Sequence, residues 1–549
     1  MFAPNAGACR HCPIDCAPRL SPPVDRRTSV DSRRPFCIVV SIALVFLCAA
    51  PGARAEEPYR EKWRPQFHFT PAKNWMNDPN GLVYYDGEYH LFYQYNPEGD
   101  KWGHMSWGHA VSRDLARWEH LPVALREEND VMIFSGSAVV DWKNTSGFGK
   151  DGKPPMVAIY TGHHTKKPLQ NQHIAYSTDR GRTWTKFAGN PVLDIGAKDF
   201  RDPKVFWHEP TGRWVMVVSW PVQRKVRFYS SPNLKEWTHL ADFGPAGSTA
   251  GIWECPDLFP VPVENKVGEK KWVLIVNVGS GAPAGGSGCQ FFVGDFDGRR
   301  FTAEAPAGKG KESALWADWG RDFYAAVSWG DVPKDDGRRL WLGWMSNGEY
   351  ANDVPTSPWR SAMSIPRALT LRKTDPGWLL VQRPVNELER LRGESVEVRL
   401  KDLSGAANLA ELNKVTTGPF ELESELEPSA ESVCDLKLLT GTAEETVFRV
   451  DIPGRKLTLD RTRSGRVDFH KRFPGTASAP VRLLDGRLKM RLFVDTSSVE
   501  VFVNDGEAVV TSLILPTARE YCLDLRVTKG DLRTATLRAW KLASAWTAK

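Results

Sequence analysis

The chain has 549 residues, with 72 Lys and Arg against 66 Asp and Glu, a formal net charge of +6. Charge so near balance gives no case for nucleic acid or an anionic membrane as partner, and the length favours two domains over one. Only tryptophan is unusual, at 22 residues; such density suits packed β-structure and surfaces that stack on sugar rings.

The first 55 residues read differently from the rest. Cys9, Cys12 and Cys16 sit in a Pro- and Arg-bearing tract, and no second ligand pair follows at a metal-site spacing. Then come Arg33-Arg34, an apolar run over 36–50 and Ala53-Arg54-Ala55, the order of an export signal. A leader over 1–55 is therefore expected to be cleaved, sending the mature chain to the periplasm or medium. The run is too short for a membrane-spanning helix, so no membrane association is expected after cleavage. Removing the leader takes seven Arg and three Asp and leaves 65 basic against 63 acidic residues. Cys255, Cys289, Cys434 and Cys522 remain, too few for a disulfide framework in a chain this long.

From residue 63 to about 372 the sequence is one of short strands punctuated by Gly, Pro, Asn and Asp, without a convincing amphipathic helix. It opens on Trp75-Met76-Asn77-Asp78-Pro79-Asn80-Gly81, which reads as a polar turn ahead of a strand. Asp86-Gly87 then predicts a tight hairpin. A further turn pattern recurs: Ser112, Asp114 and Trp118; Ser177, Asp179 and Trp184; Ser231, Asn233 and Trp237; and a degenerate Asp295, Asp297 and Phe301. The starts lie 65, 54 and 64 residues apart. Side-chain-capped turns at that period, each with an aromatic able to plug the gap between sheets, predict propeller blades. Four such blades and one around 340–345 give five, so the expectation for 56–385 is a five-bladed β-propeller.

Residues 374–395 break the rhythm. Pro376-Gly377 and Pro384 precede a short charged segment over 386–392 that reads as a helix, and 386–395 is expected to be a linker. Strands with cleaner alternation resume from about 396, as over 493–503, where Asn504-Asp505-Gly506 follows. One wet and one buried face per strand predicts an antiparallel β-sandwich over 396–549, and an all-β protein overall.

Two more polar islands resemble the first. Phe200-Arg201-Asp202-Pro203 and Trp253-Glu254-Cys255-Pro256-Asp257 each place an acid in an aromatic or apolar setting just ahead of a strand. Each acid alone has a surface ion pair as its commoner fate; three at the heads of successive blades could face one funnel. Glycoside hydrolysis needs such a set, one carboxylate to attack the anomeric carbon and another to protonate the leaving oxygen. Glu254, between Trp253 and Cys255, is placed to have its pKa raised by desolvation. Asp202, beside Arg201, is expected to stay ionised, and Asp78 is left as the nucleophile.

In this order the three islands resemble the signature of glycoside hydrolase family 32, the family of invertases, levanases and exo-inulinases. The resemblance runs from about residue 63 to the C-terminus and implies a propeller followed by a sandwich. It also implies retaining hydrolysis of β-fructofuranosides, with fructan or sucrose as substrate and no metal or other cofactor. By motif match Asp78 is the nucleophile, Asp202 the transition-state stabiliser and Glu254 the acid/base. Asn77, Gln94, Trp102, Ser135 and Arg201 match positions that contact the terminal fructose, and the Gln94 and Trp102 elements resemble exo-acting members. Gly348 departs from the family, which often carries an aromatic there. Two other activities fit the same residues: transfer of fructose to a sugar instead of water, and glycan binding without catalysis.

Overall fold

The recurrent capped turns each close a four-stranded meander. The computed structural model describes residues 59–304, 314–375, 377–440 and 443–546; the expected leader lies outside them. The first sheet holds β1 (Asn74–Tyr85), β2 (Glu88–Asn96), β3 (Ser106–Ser112) and β4 (Glu119–Leu125). The second holds β5 (Val131–Val140), β6 (Met156–His164), β7 (Leu169–Ser177) and β8 (Thr185–Lys186). In the third are β9 (Arg201–His208), β10 (Arg213–Trp220), β11 (Lys225–Ser231) and β12 (Thr238–Phe243). The fourth contains β13 (Trp253–Pro262), β14 (Lys270–Val278), β15 (Gly288–Phe296) and β16 (Phe301–Ala303), with β17 (Leu315–Trp316) also on β15. The fifth begins with β18 (Tyr324–Ser328) and β19 (Arg339–Met345). Short β20 (Trp359–Arg360) then joins β1 and β21 (Ala362–Met363) joins β19, before β22 (Arg367–Thr374) and β23 (Gly377–Pro384) complete it.

Local chemistry sets these meanders. Asp86 and Gly87 both take positive φ, 49° and 83°, so a two-residue turn joins Tyr85 to its partner Glu88. Each capped turn links the third strand of a sheet to the fourth. The side chain of Asp114 accepts the N–H groups of Ala116 and Arg117, Asn233 those of Lys235 and Glu236, and Asp297 those of Arg299 and Arg300. The aromatic that follows turns into the gap beside the preceding sheet: Trp184 meets Phe92 edge-on at 5.5 Å, and Trp118 stacks on Trp329 at 6.4 Å. Separate apolar clusters fill the gaps from first to second sheet, second to third, third to fourth and fourth to fifth. A fifth cluster joins Val327 and Leu342 of the last sheet to Leu82 and Leu91 of the first.

Asn386–Leu391 is a 3-10 helix anchored by buried Leu388 and Leu391, and the next strand starts at once, over Arg392–Leu403. That strand runs four residues further back than its alternation suggests because a register shift between Arg392 and Ser395 carries the pairing past Gly393. It belongs to a six-stranded sheet that faces a five-stranded one across a core including Leu422, Leu436, Phe448, Leu492 and Leu537.

Buried charge fastens this pair of sheets to the first five. Arg367 of β22 reaches Asp318, Gln382, Glu500 and Thr511, all nearly sealed from solvent. His68 bridges Asp495 at 2.8 Å and Glu500 at 2.9 Å. Gly506, at φ 96°, lies so close to β23 that a Cβ there would fall 1.8 Å from the Gln382 carbonyl oxygen. Burial pushes the His68 pKa down, but hydrogen bonds to Asp495 and Glu500 outweigh it and lift it to about 9. The folded value lies above the unfolded one, so this contribution is full below pH 6.5 and lost as pH rises through about 9. A shift of that size corresponds to about 3 kcal/mol. His68→Gln is expected to lower Tm by several degrees at pH 6 and to flatten the decline between pH 6.5 and 9.5. Melting curves across that range check it, and an unchanged pH dependence would refute the assignment.

Candidate active site

The first strand of each of the five sheets is bulged near the same end, and the bulges aim the candidate residues. In β1, Asn77 and Asp78 together oppose the single residue Gln94. In β5, Phe134 and Ser135 oppose Thr161; in β9, Asp202 and Pro203 oppose Val218. Cys255 and Pro256 of β13 oppose Val276, and Ala325 and Ala326 of β18 oppose Gly343. Two residues against one bends a strand and turns out a side chain that regular pleating would point elsewhere. Asp202, Cys255 and Ala325 hold φ of 65°, 43° and 53°, strained values that tertiary contacts must impose.

This corrects the reading of 75–81 as a turn ahead of a strand. The segment lies inside β1, and the Asp-Pro-Asn-Gly residues serve the bulges instead. Gly81 takes φ 54°, and a Cβ there would come within 2.6 Å of Phe92.

Asn77, Asp78, Gln94, Trp102, Ser135, Arg201, Asp202 and Glu254 all line one pocket of about 460 Å³. Asp78 accepts hydrogen bonds from Asn77 Nδ2 at 3.0 Å, Ser135 Oγ at 2.6 Å and Cys255 Sγ at 3.4 Å. Trp75 Nε1 in turn fixes Asn77 by donating to its Oδ1 at 2.7 Å. Gln94 is buried and donates to the Ile133 carbonyl at 3.0 Å. Trp102 projects at the rim, about half exposed, with its backbone N–H held by Asn352 Oδ1. A Cβ at Gly348 would touch nothing within 4 Å, so this stretch of pocket wall is open where a side chain could stand.

The guanidinium of Arg201 pairs with Glu254, not chiefly with Asp202. Its Nε and Nη2 reach Glu254 Oε1 at 3.0 and 2.8 Å, while the approach to Asp202 is 4.0 Å. Asp202 instead accepts the Cys255 N–H at 2.9 Å. The 4.0 Å approach gives Asp202 less of the Arg201 charge than their adjacency in sequence suggests. Burial, with Glu254 and Asp78 adding repulsion against the pull of Arg201, raises its pKa to about 7. Burial raises that of Asp78 as well, with Glu254 adding to it, against the hydrogen bonds it accepts. Glu254 lies in a polar setting, its other oxygen taking a 2.6 Å hydrogen bond from Tyr324 Oη. Burial and the Glu254 charge hold the Tyr324 phenol well above its ordinary pKa, so it stays a donor.

The raised Asp202 pKa has a stability consequence. A carboxyl that binds its proton more tightly folded than unfolded costs stability progressively as pH rises from about 4 to 7. Asp202→Asn is thus expected to raise Tm by a few degrees at pH 8, with the gain shrinking below pH 4, while activity is lost. Paired melting curves at the two pH values check this; a lower Tm at both would contradict it.

Several lining residues were not singled out by sequence reasoning: Tyr324, Phe134, His163, Gln170 and Asp199. Gln170 and Asp199 each accept from Arg201 Nη1 at 3.1 Å, and His163 stacks on Phe134 at 4.4 Å. Tyr324 carried one usable signal, its place at the head of a strand like the three acids. Among the described residues, no group of three or more His, Cys, Asp or Glu is arranged to hold a metal ion, and no helix is long and apolar enough to cross a membrane.

An all-β chain of bulged meanders that converges three carboxylates and an arginine on one aromatic-walled pocket belongs to the carbohydrate-cleaving class. Residues 68–384 match the Glycosyl hydrolases family 32 N-terminal domain and residues 387–541 the family 32 C-terminal domain. The chain is a member of glycosyl hydrolase family 32 and a glycoside hydrolase. It is 50% identical over 520 residues to a levanase of Bacillus subtilis, covering 94% of this chain and 76% of that protein. It is 40% identical to an extracellular exo-inulinase of Aspergillus awamori over 89% of this chain and 96% of the relative. The crystal structure of the Aspergillus awamori exo-inulinase superposes with a TM-score of 0.84 at 39% identity, covering 89% of this chain and all of that one. A β-fructofuranosidase of Schwanniomyces occidentalis complexed with fructosyl-erythritol gives 0.78 at 32%, over 88% of this chain and 99% of the other.

Proposed function

We propose that the chain is a retaining, exo-acting β-fructofuranosidase that releases terminal fructose from levan, inulin or sucrose. The observation that carries the reading is the convergence of Asp78, Asp202 and Glu254 in one pocket whose rim is formed by Trp102 and whose wall includes buried Gln94. Asp78, oriented by Asn77, Ser135 and Cys255, attacks the anomeric carbon and forms a fructosyl ester. Glu254 gives the leaving oxygen its proton, then takes one from water, which frees the sugar. Asp202 holds fructose hydroxyls and steadies developing positive charge, while Arg201 positions Glu254. The five sheets act as a five-bladed propeller over 56–385, joined by the short helix at Asn386–Leu391, rather than by a linker over 386–395, to an accessory sandwich that begins with the strand at Arg392. Residues 1–55 are an export leader, and relatives named as extracellular support secretion.

Product analysis of residues 56–549 on the three substrates tests this. Free fructose alone, cut from polymer ends, is the expected result. A ladder of oligosaccharides would contradict exo cleavage; fructose oligomers built from concentrated sucrose would favour transfer; and no product from any substrate would favour glycan binding without catalysis.

A further inference from the structure

At the opposite ends of β5, β9, β13 and β18 lies a second concavity, of about 760 Å³. A volume in this range is ordinary for ligand sites. Its wall carries Trp142, which is 60% exposed yet held in place: its indole N–H donates to Asp331 Oδ1 at 2.9 Å and its ring meets Tyr85 edge-on at 5.6 Å. Trp272 stands elsewhere on the wall, braced by Phe206 at 5.7 Å. On the floor, Asp257 Oδ2 accepts the Ser328 N–H at 2.7 Å and pairs with Lys204 Nζ at 3.1 Å. Asp257 Oδ1 and Ser328 Oγ have no partner within the protein, though both residues are fully buried and line the concavity. Buried polar atoms are ordinarily satisfied, so these two call for a hydrogen-bonding occupant. The lining charges come close to balance, Lys143, Lys204, Lys334 and Arg339 against Glu209, Asp257 and Asp331, which disfavours a strongly charged occupant. Braced indoles beside hydroxyl-sized donors and acceptors are the chemistry of a neutral sugar, apolar on its C–H faces and polar at its rim.

We propose that this concavity is a second, non-catalytic binding site for a neutral oligosaccharide, which stacks on Trp142 and hydrogen-bonds Asp257 and Ser328. The site lies away from the three acids, and its existence does not depend on the roles assigned to them. In the working enzyme it would tether a polymer by the face opposite the pocket where ends are cut.

Gly330 offers the test, because it lines the concavity and a Cβ there would meet nothing nearer than 3.8 Å. Titration calorimetry of the full mature chain carrying Asp78→Asn, with levan- and inulin-type oligosaccharides as probes, is expected to show two classes of site. Adding Gly330→Leu is expected to remove one class, and adding Trp142→Ala to weaken the same class about threefold to tenfold. Gly330→Leu and Trp142→Ala in the otherwise native chain should turn over sucrose with unchanged kcat/KM, which shows that they fold. A single class in the Asp78→Asn parent, or two classes untouched by both further changes, overturns the second site. Fructose release by the native chain reports separately on the hydrolase reading.

Discussion

Glu254→Ala is expected to cut turnover of sucrose by roughly 10²–10⁴-fold, the usual worth of a positioned general acid. Turnover of an aryl fructoside whose leaving group departs as a stable phenolate should fall far less in its first step. The difference arises because sucrose must expel an alkoxide of high pKa, which needs a proton in the transition state. Two fixed neighbours hold Glu254 in the pocket, Arg201 on one oxygen and Tyr324 on the other. Added azide or formate is expected to restore part of the aryl fructoside turnover by attacking the fructosyl ester in place of activated water. Equal losses on both substrates would remove Glu254 from the acid/base role.

Asp78→Asn is expected to cost more, roughly 10⁴-fold or greater in kcat on every substrate, because the covalent route disappears with the nucleophile. The fold should survive. Asn keeps the shape, and its one amide oxygen can still accept from Ser135 Oγ, the contact that ties β1 to β5 at this point, while the bond from Asn77 Nδ2 to the other oxygen is given up. Burial and the Glu254 charge raise the pKa of Asp78, so a neutral amide there spares the folded state the cost of a buried charge. A stable, inert protein that still binds fructose is the expected outcome, measured by kcat, Tm and ligand titration together. Near-normal turnover would sink the assignment.

How much of this was legible in the sequence follows the range of the interactions involved. The capped turns were readable because Ser, Asp and Asn satisfy N–H groups a few residues away; Asp114 and Asn233 do so in the structure. The three acids stood out because carboxylates in aromatic company at strand starts are unusual. The bulges did not show: pleat alternation is a local pattern, while the residue that Asp78 or Cys255 shares an opposing partner with is set by strands paired later. Glu254 illustrates the same limit. Its flanks in sequence are Trp253 and Cys255, which suggested an apolar pocket, but its neighbours in space are Arg201, 53 residues away, and Tyr324, 70 away. The His68–Asp495–Glu500–Arg367 network joins segments more than 400 residues apart, and no spacing rule reaches that far.

The central claim is that Asp78 carries fructose covalently between the two half-reactions. Its most direct test is to mix Glu254→Ala protein with an aryl fructoside, quench, and map the adduct by peptide mass spectrometry. With water poorly activated, the account predicts an ester adding the mass of one anhydrofructose to the peptide that contains Asp78, absent from the Asp78→Asn control. An adduct on another residue, or fructose released with inverted anomeric configuration and no adduct, would contradict it.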